Sequence, residues 1–279
     1  MKSQDMKSQK MKLRNMKLEI IKISVLALSL SALNFNVHAE TAEEKGLAIA
    51  VEADKRDTGW GDQQAQLEMT LRNRFGQESK RKNRNKTLEV KGDGDKTLIV
   101  FDTPRDIKGT AFLSFTHALK ADEQWIYLPA LKRVKRISSS NKSGPFLGSE
   151  FAYEDIASQE VAKYKYKYLR DEKINGRDCF VVEAYPQYKK SGYTRLINWV
   201  DKEMYQPLKT DFYDRKNTLL KTLIYTKYKQ YLNKFWRAGL MEMNNHVTGK
   251  STSLVFNEYK FKTGLKDKDF NRNALKRAR

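Results

Sequence analysis

The chain has 279 residues, with 54 Lys and Arg against 34 Asp and Glu, and a single cysteine. The lone Cys179 excludes an intramolecular disulfide and a cysteine-built metal cluster, and three histidines in all leave little for any other metal centre. A net charge of +20 would point to nucleic acid in a cytoplasmic protein, so the compartment decides what that charge means.

The first 39 residues point to the compartment. Lys2, Lys7, Lys10, Lys12, Arg14, Lys17 and Lys22 make a positive leading region, Ile23 to Leu33 an apolar core, and Val37-His38-Ala39 a small-x-small site. This is the pattern of a secretory signal peptide, with cleavage expected after Ala39. Met-Lys units recur at Met1, Met6, Met11 and Met16, so the translation start stays open among them. No cysteine stands directly after the apolar core, and no later run reaches the roughly 18 apolar residues of a spanning helix. The expected product is one exported, soluble domain over residues 40–279, with a net charge near +15 once seven Lys/Arg and two Asp/Glu are removed. Export argues against nucleic acid as a partner. The charge then has two readings: attraction to an anionic membrane surface or acidic protein partner, or a basic coat that keeps strand edges unpaired.

Thr41-Ala42-Glu43-Glu44 is a capping-box pattern, and Leu47, Ile49, Ala50 and Val51 give a short helix its apolar face. From Gly61 to Arg74, Ala65, Leu67, Met69 and Leu71 alternate with polar residues, the period of a half-buried strand. Gln77 to Lys91 reads as a very basic strand that turns through Gly92-Asp93-Gly94 into Lys96 to Asp102. Thr110 to Ala118, Trp125 to Leu128 and Val134 to Ser138 follow. Beyond an irregular stretch, Tyr164, Tyr166 and Tyr168 alternate with lysines, and Asn175-Gly176 turns this strand into Cys179 to Tyr185. Tyr193 to Asp201, Leu208 to Asp214, Leu219 to Lys227, Phe235 to Met243 and Thr252 to Lys262 complete the strands, before a closing helical turn at Ala274 to Arg277. Strands joined by tight turns pair as antiparallel neighbours, and a sheet this large must curl. The pattern predicts a mainly β (α+β) fold, a single large curled antiparallel sheet or barrel with a few short helices.

The most specific stretch runs from Trp125 to Ile156. Trp-x-Tyr-Leu-Pro-Ala-Leu over Trp125 and Tyr127 to Leu131 leads into a basic strand ending in Arg136-Ile137-Ser138-Ser139. Then come Gly144, Phe146, Gly148-Ser149-Glu150-Phe151 and Tyr153-Glu154-Asp155. This run resembles the signature of the outer membrane lipoprotein-sorting protein family, with Glu150 where the family has aspartate. Asn198 to Glu203, Pro207 to Lys209 and Phe212 to Asp214 are similar to its second block, and Met241 to Asn245 and Phe270 to Leu275 to its ending. Tyr231 to Trp236 departs from the family, with Asn233-Lys234 where an Asn-Gly or Asp-Gly turn is expected. The resemblance implies a periplasmic protein with a LolA-like open half-barrel, helices and loops covering its open side, and association with an inner-membrane RND/MMPL-type transporter.

No nucleophile–base pair, phosphate loop or metal-ligand spacing stands out, so no enzyme and no cofactor are expected. His117 and His246 read as structural. Alternation makes Leu67, Met69, Leu71, Phe112, Trp125, Tyr127, Trp199 and Phe212 candidates for an apolar inner wall, either packed solid or lining a cavity for acyl chains. Phe146, Phe151 and Tyr153 are expected to form a lid or seal, and Arg133 and Arg136 to hold the acidic Glu150 to Asp155 loop or a lipid head group. The expected function is a carrier of a lipid or of lipoprotein acyl chains; the alternative is a non-carrier accessory or sensor docking on an inner-membrane exporter.

Overall fold

A computed structural model describes residues 6–16, 39–138 and 140–277. The chain divides into two compact units, Met1–Glu40 and Thr41–Arg279. In the first, residues 6–16 are helical, while the apolar core and most of the cleavage motif of the expected signal peptide lie outside the described residues. Among the described residues, no helix is long and apolar enough to cross a membrane.

The second unit begins with α1 (Ala42–Arg56), which starts where its cap dictates. The Thr41 hydroxyl accepts from the Glu44 N–H at 3.1 Å, and the Glu44 carboxylate accepts from the Thr41 N–H at 2.9 Å. Six strands follow: β1 (Asp62–Arg72), β2 (Glu78–Leu88), β3 (Lys96–Thr103), β4 (Ala111–Phe115), β5 (Glu123–Leu128) and β6 (Arg133–Ile137). After an irregular connection come β7 (Tyr164–Ile174), β8 (Arg177–Pro186), β9 (Tyr193–Asp201), β10 (Pro207–Asp214) and β11 (Leu219–Thr226). The chain closes with β12 (Lys229–Tyr231), β13 (Phe235–Arg237), β14 (Leu240–Asn245), β15 (Ser251–Phe261) and α2 (Arg272–Arg277).

Among the described residues, thirteen strands make one antiparallel sheet in the order β6-β5-β4-β3-β2-β1-β15-β14-β11-β10-β9-β8-β7, and β12 and β13 pair separately. The first and last strands thus meet in the middle of the sheet. Its free edges are β6 and β7, the two strands that the 138–163 connection joins. Asn175 and Gly176 turn β7 into β8 with φ of 49° and 82°, the paired positive φ of a two-residue hairpin. Leu232 and Asn233 also have positive φ, 51° and 54°, in the three-residue turn between β12 and β13. The segment that departs from the family pattern therefore still makes a tight turn. The single strand expected over Phe235 to Met243 is divided, because residues 229–237 fold back as their own hairpin before β14 joins the main sheet.

One hydrophobic cluster shows that the sheet curls. It joins Leu67, Ile99 and Phe112 from one half to Ala184, Leu196, Phe212 and Leu223 from the other, with Phe146 and Phe151 between them. Strands so far apart in the sheet order share a core only if its inner face wraps around. The result is an open half-barrel. On the outer face, Phe270 and, from α2, Leu275 pack against Leu98, Leu113 and Trp125, and a second outer cluster gathers Cys179, Val181, Trp199, Met204 and Leu208.

Candidate functional site

The inner face is only half filled. At one end of the strands the aromatic core is solid, and beyond it lies a cavity of about 900 Å³, within the roughly 300–1,000 Å³ range of ligand pockets. Leu67, Met69, Ile99, Val182, Leu254 and Phe256 give it apolar walls from both halves of the sheet, and Ile49, Ala50 and Ala53 on α1 roof it. The roof lies directly on the edge strand. A Cβ added at Gly46 would stand 2.7 Å from the Tyr168 backbone nitrogen and 2.8 Å from that of Lys167, so only glycine allows α1 this close to β7. Lys45 over the Tyr168 ring at 3.6 Å and Arg56 over the Tyr205 ring at 3.9 Å hold the helix along its length.

The signature segment forms the floor. Phe146 meets Phe112 edge-to-face at 5.1 Å and Tyr153 at 5.4 Å, and both Phe146 and Phe151 are buried. The Phe146 N–H donates to the Phe151 carbonyl at 2.7 Å, and Arg81 Nη1 donates to the Leu147 carbonyl at 2.6 Å. Asp155 accepts from Lys221 Nζ at 2.7 Å and from the Tyr193 hydroxyl at 2.8 Å, and Lys221 also donates to the Glu150 carbonyl at 2.9 Å. Glu154 accepts from the Tyr188 and Ser191 hydroxyls, both at 2.9 Å, and from the Gly192 N–H at 2.8 Å; burial nonetheless holds its carboxyl above the usual range. Asp122 receives both Lys142 and Lys163, pinning the two ends of the connection to the β4–β5 turn.

The far end of the cavity is acidic. Asp54 of α1, Asp57 at its C-cap, Glu89 and Asp95 of the β2–β3 loop, and Glu160 all line it. Arg237 Nη1 meets Asp57 at 2.6 Å, and Glu89 accepts from the Gly59 and Gly61 N–H groups at 2.6 and 2.7 Å. Burial, reinforced by the neighbouring carboxylates, pushes Asp95 up to about 6 and Glu160 up to about 7. In a chain this basic, the composition gave no sign of such a group.

Of the residues expected on the inner wall, Leu67 and Met69 line the cavity. Leu71, Phe112 and Phe212 face inward too but belong to the solid end. Trp125, Tyr127 and Trp199 correct the expectation. In register, Trp125 pairs with Leu113 and Leu113 with Leu98, so all three project to the outer face under α2, and Tyr127 shares that face. Trp199 pairs with Val181, opposite in phase to the inward Asn198 and Val200. Phe146 and Phe151 reach the cavity as its floor, whereas Tyr153 stacks behind them. Arg133 and Arg136 do not hold the acidic loop. Arg136 pairs with Glu123 at 3.1 Å, Arg133 is exposed on edge strand β6, and Lys221 takes the acidic partner instead. Glu154 and Asp155 share one buried network through Ser191 and Tyr193, because they sit in a turn.

The amides of β2 are not among the residues expected at the site. The strand's outer face carries Lys80, Lys82, Arg84 and Lys86, and these conceal an inner row of Arg81, Asn83, Asn85 and Thr87. Asparagine repeated at a spacing of two was the available signal.

A family model described only as an uncharacterized protein matches residues 93–277. No protein with a curated description matches. Among solved structures, an outer membrane lipoprotein-sorting protein domain from Vibrio parahaemolyticus is 59% identical with a TM-score of 0.83, covering 84% of this chain and 99% of that one. A DUF1329 family protein from Desulfovibrio piger is 30% identical over 84% of this chain and 99% of that one, with a TM-score of 0.80. A LolA superfamily protein from Nitrosomonas europaea has the same fold, with a TM-score of 0.66 at 23% identity, over 85% of this chain and all of that one. The chain belongs to the outer membrane lipoprotein-sorting protein family, with the LolA-like open half-barrel.

Proposed function

We propose that this protein is a periplasmic carrier that holds the acyl chains of a lipid or lipoprotein in the half-barrel cavity. The observation that carries the reading is the cavity itself, about 900 Å³ of hollow between apolar sheet walls and the α1 roof. Each methylene moved from water into it contributes about 0.8 kcal/mol, so a whole chain is held by on the order of 10 kcal/mol. Release therefore needs a roof that lifts or a partner that takes the cargo. An inner-membrane RND/MMPL-type transporter is the partner we infer, and residues 1–39 supply the export signal. Glu154 and Asp155 spend their hydrogen bonds on the floor, which fits a carrier better than an enzyme. A second reading, a docking accessory without cargo, draws on Arg133, Lys135 and Arg136, exposed on the free edge strand β6 where an acidic partner or an anionic membrane could meet them.

Titration with cis-parinaric acid, a fatty acid that fluoresces when sheltered from water, separates the two. The carrier binds about one equivalent, and Ala53→Trp, which fills the space under the roof, abolishes binding while the fold persists by circular dichroism. No fluorescence gain in the wild-type protein, or unchanged binding in the variant, contradicts the carrier reading.

A further inference from the structure

The inner row of β2 places amides where an ordinary apolar wall would carry leucine or valine. Asn83 lies between Leu67 and Phe101 in register, and Asn85 between Ala65 and Ile99, so neither faces a polar residue directly across on the adjoining strands. Asn83 is 3% exposed and lines the cavity, and among the described residues neither its Nδ2 nor its Oδ1 has a hydrogen-bond partner. Asn85 lines the cavity beside it, and its Oδ1 is likewise without a partner. Buried amides are almost always satisfied, and one left unpaired in the wall of a cavity weakens the fold for no structural return. A polar pair kept in that position has its use in what enters the cavity.

The atoms left open define the guest. Asn83 asks for one acceptor and one donor, and Asn85 for a further donor. A hydrocarbon chain offers neither, and an ester offers acceptors only. A trans secondary amide presents a C=O on one edge and an N–H on the other, so that Asn83 Nδ2 donates to the first while Asn85 Oδ1 accepts from the second. Resting on the carrier reading, we propose that the cavity selects acyl chains joined through a secondary amide, with Asn83 and Asn85 as the residues that recognise the linkage. An amide of this kind joins a chain to a polypeptide amino terminus or to the head group of an amide-linked lipid, and the chemistry presented to Asn83 is the same.

The test is displacement of bound cis-parinaric acid from the delipidated protein by two otherwise matched chains, N-methyldodecanamide and methyl dodecanoate. The amide should displace the probe at about tenfold lower concentration, the worth of one net hydrogen bond. Asn83→Leu should erase that preference while still binding the probe, and should melt at or above the wild-type temperature, which a merely structural asparagine would not do. Asn85→Leu provides a second variant, with a smaller loss of preference. An N-dodecanoyl tetrapeptide against N-dodecanoylethanolamine then tells an acylated polypeptide from an amide lipid, the better competitor naming the source. Equal displacement by amide and ester in the wild-type protein, or a preference that survives both substitutions, overturns the inference and leaves the carrier reading standing. Failure of probe and both chains to bind sinks the carrier reading, and this inference with it.

Discussion

At the scale of single residues, the floor depends on Lys221 and Asp155, whose side chains are only 4% and 5% exposed. Removing one partner of a buried pair strands the other charge, so Lys221→Met should cost about 3–5 kcal/mol in urea unfolding. A loss under about 1 kcal/mol would mean that Tyr193 and the backbone suffice to hold Asp155. The acidic end of the cavity gives the opposite dependence on pH from most carboxylates. Asp95 and Glu160 bind their protons more tightly folded than unfolded, so their contribution is fullest below about pH 4 and is lost as the pH rises through about 6 and about 7. Lys163 favours the charged form of Glu160, while Asp54, Asp57, Glu89 and Asp122 oppose ionisation in this group. Calorimetry should find the wild-type melting temperature falling more steeply between about pH 5 and 8 than that of Asp95→Asn/Glu160→Gln. Parallel slopes would contradict the assignment. Neither pair could be read from the sequence: Lys221 and Asp155 are 66 residues apart, and the acidic group is assembled from a helix and two loops.

At the scale of elements, α1 is the part best placed to move, because side-chain contacts and not the strand ladder hold it to the barrel. Gly46→Ala on a free helix would add about 1 kcal/mol of propensity, but here any Cβ collides with the backbone of β7. Gly46→Val should therefore lift the roof: amide exchange should quicken across Ala42–Arg56, the sheet should stay protected, and cis-parinaric acid should bind more weakly. Unchanged protection of α1 would show that the contact does not hold it down. Elements were the level at which the sequence spoke most clearly. The Thr41 capping box, the Asn175-Gly176 turn and the alternation through Leu67, Met69 and Leu71 are local physics, and each stands as the pattern predicts. Which face of a strand turns inward is not local. Trp125 and Trp199 alternate as correctly as Leu67 does, yet the curl and the α2 packing put them outside.

At the scale of the molecule, the order of the strands explains the signature segment. With β1 and β15 paired at the centre, β6 and β7 become the edges of an open half-barrel, and the 138–163 connection spans between them. A sheet this wide holds more space than its own side chains fill, and the aromatic floor closes one end while the rest stays hollow. The amount of that hollow follows from curvature and roof height, which no periodicity encodes. The same inner residues would suit a solid core in a tighter sheet. The most direct test of the central claim is native mass spectrometry of the protein purified from its own cells without detergent, paired with organic extraction. The wild-type protein should carry extra mass that extraction removes and identifies as acyl-chain material, and Ala53→Trp should arrive at its bare mass. A wild-type protein that flies at the mass of its polypeptide alone, and yields no acyl chains on extraction, would contradict the account.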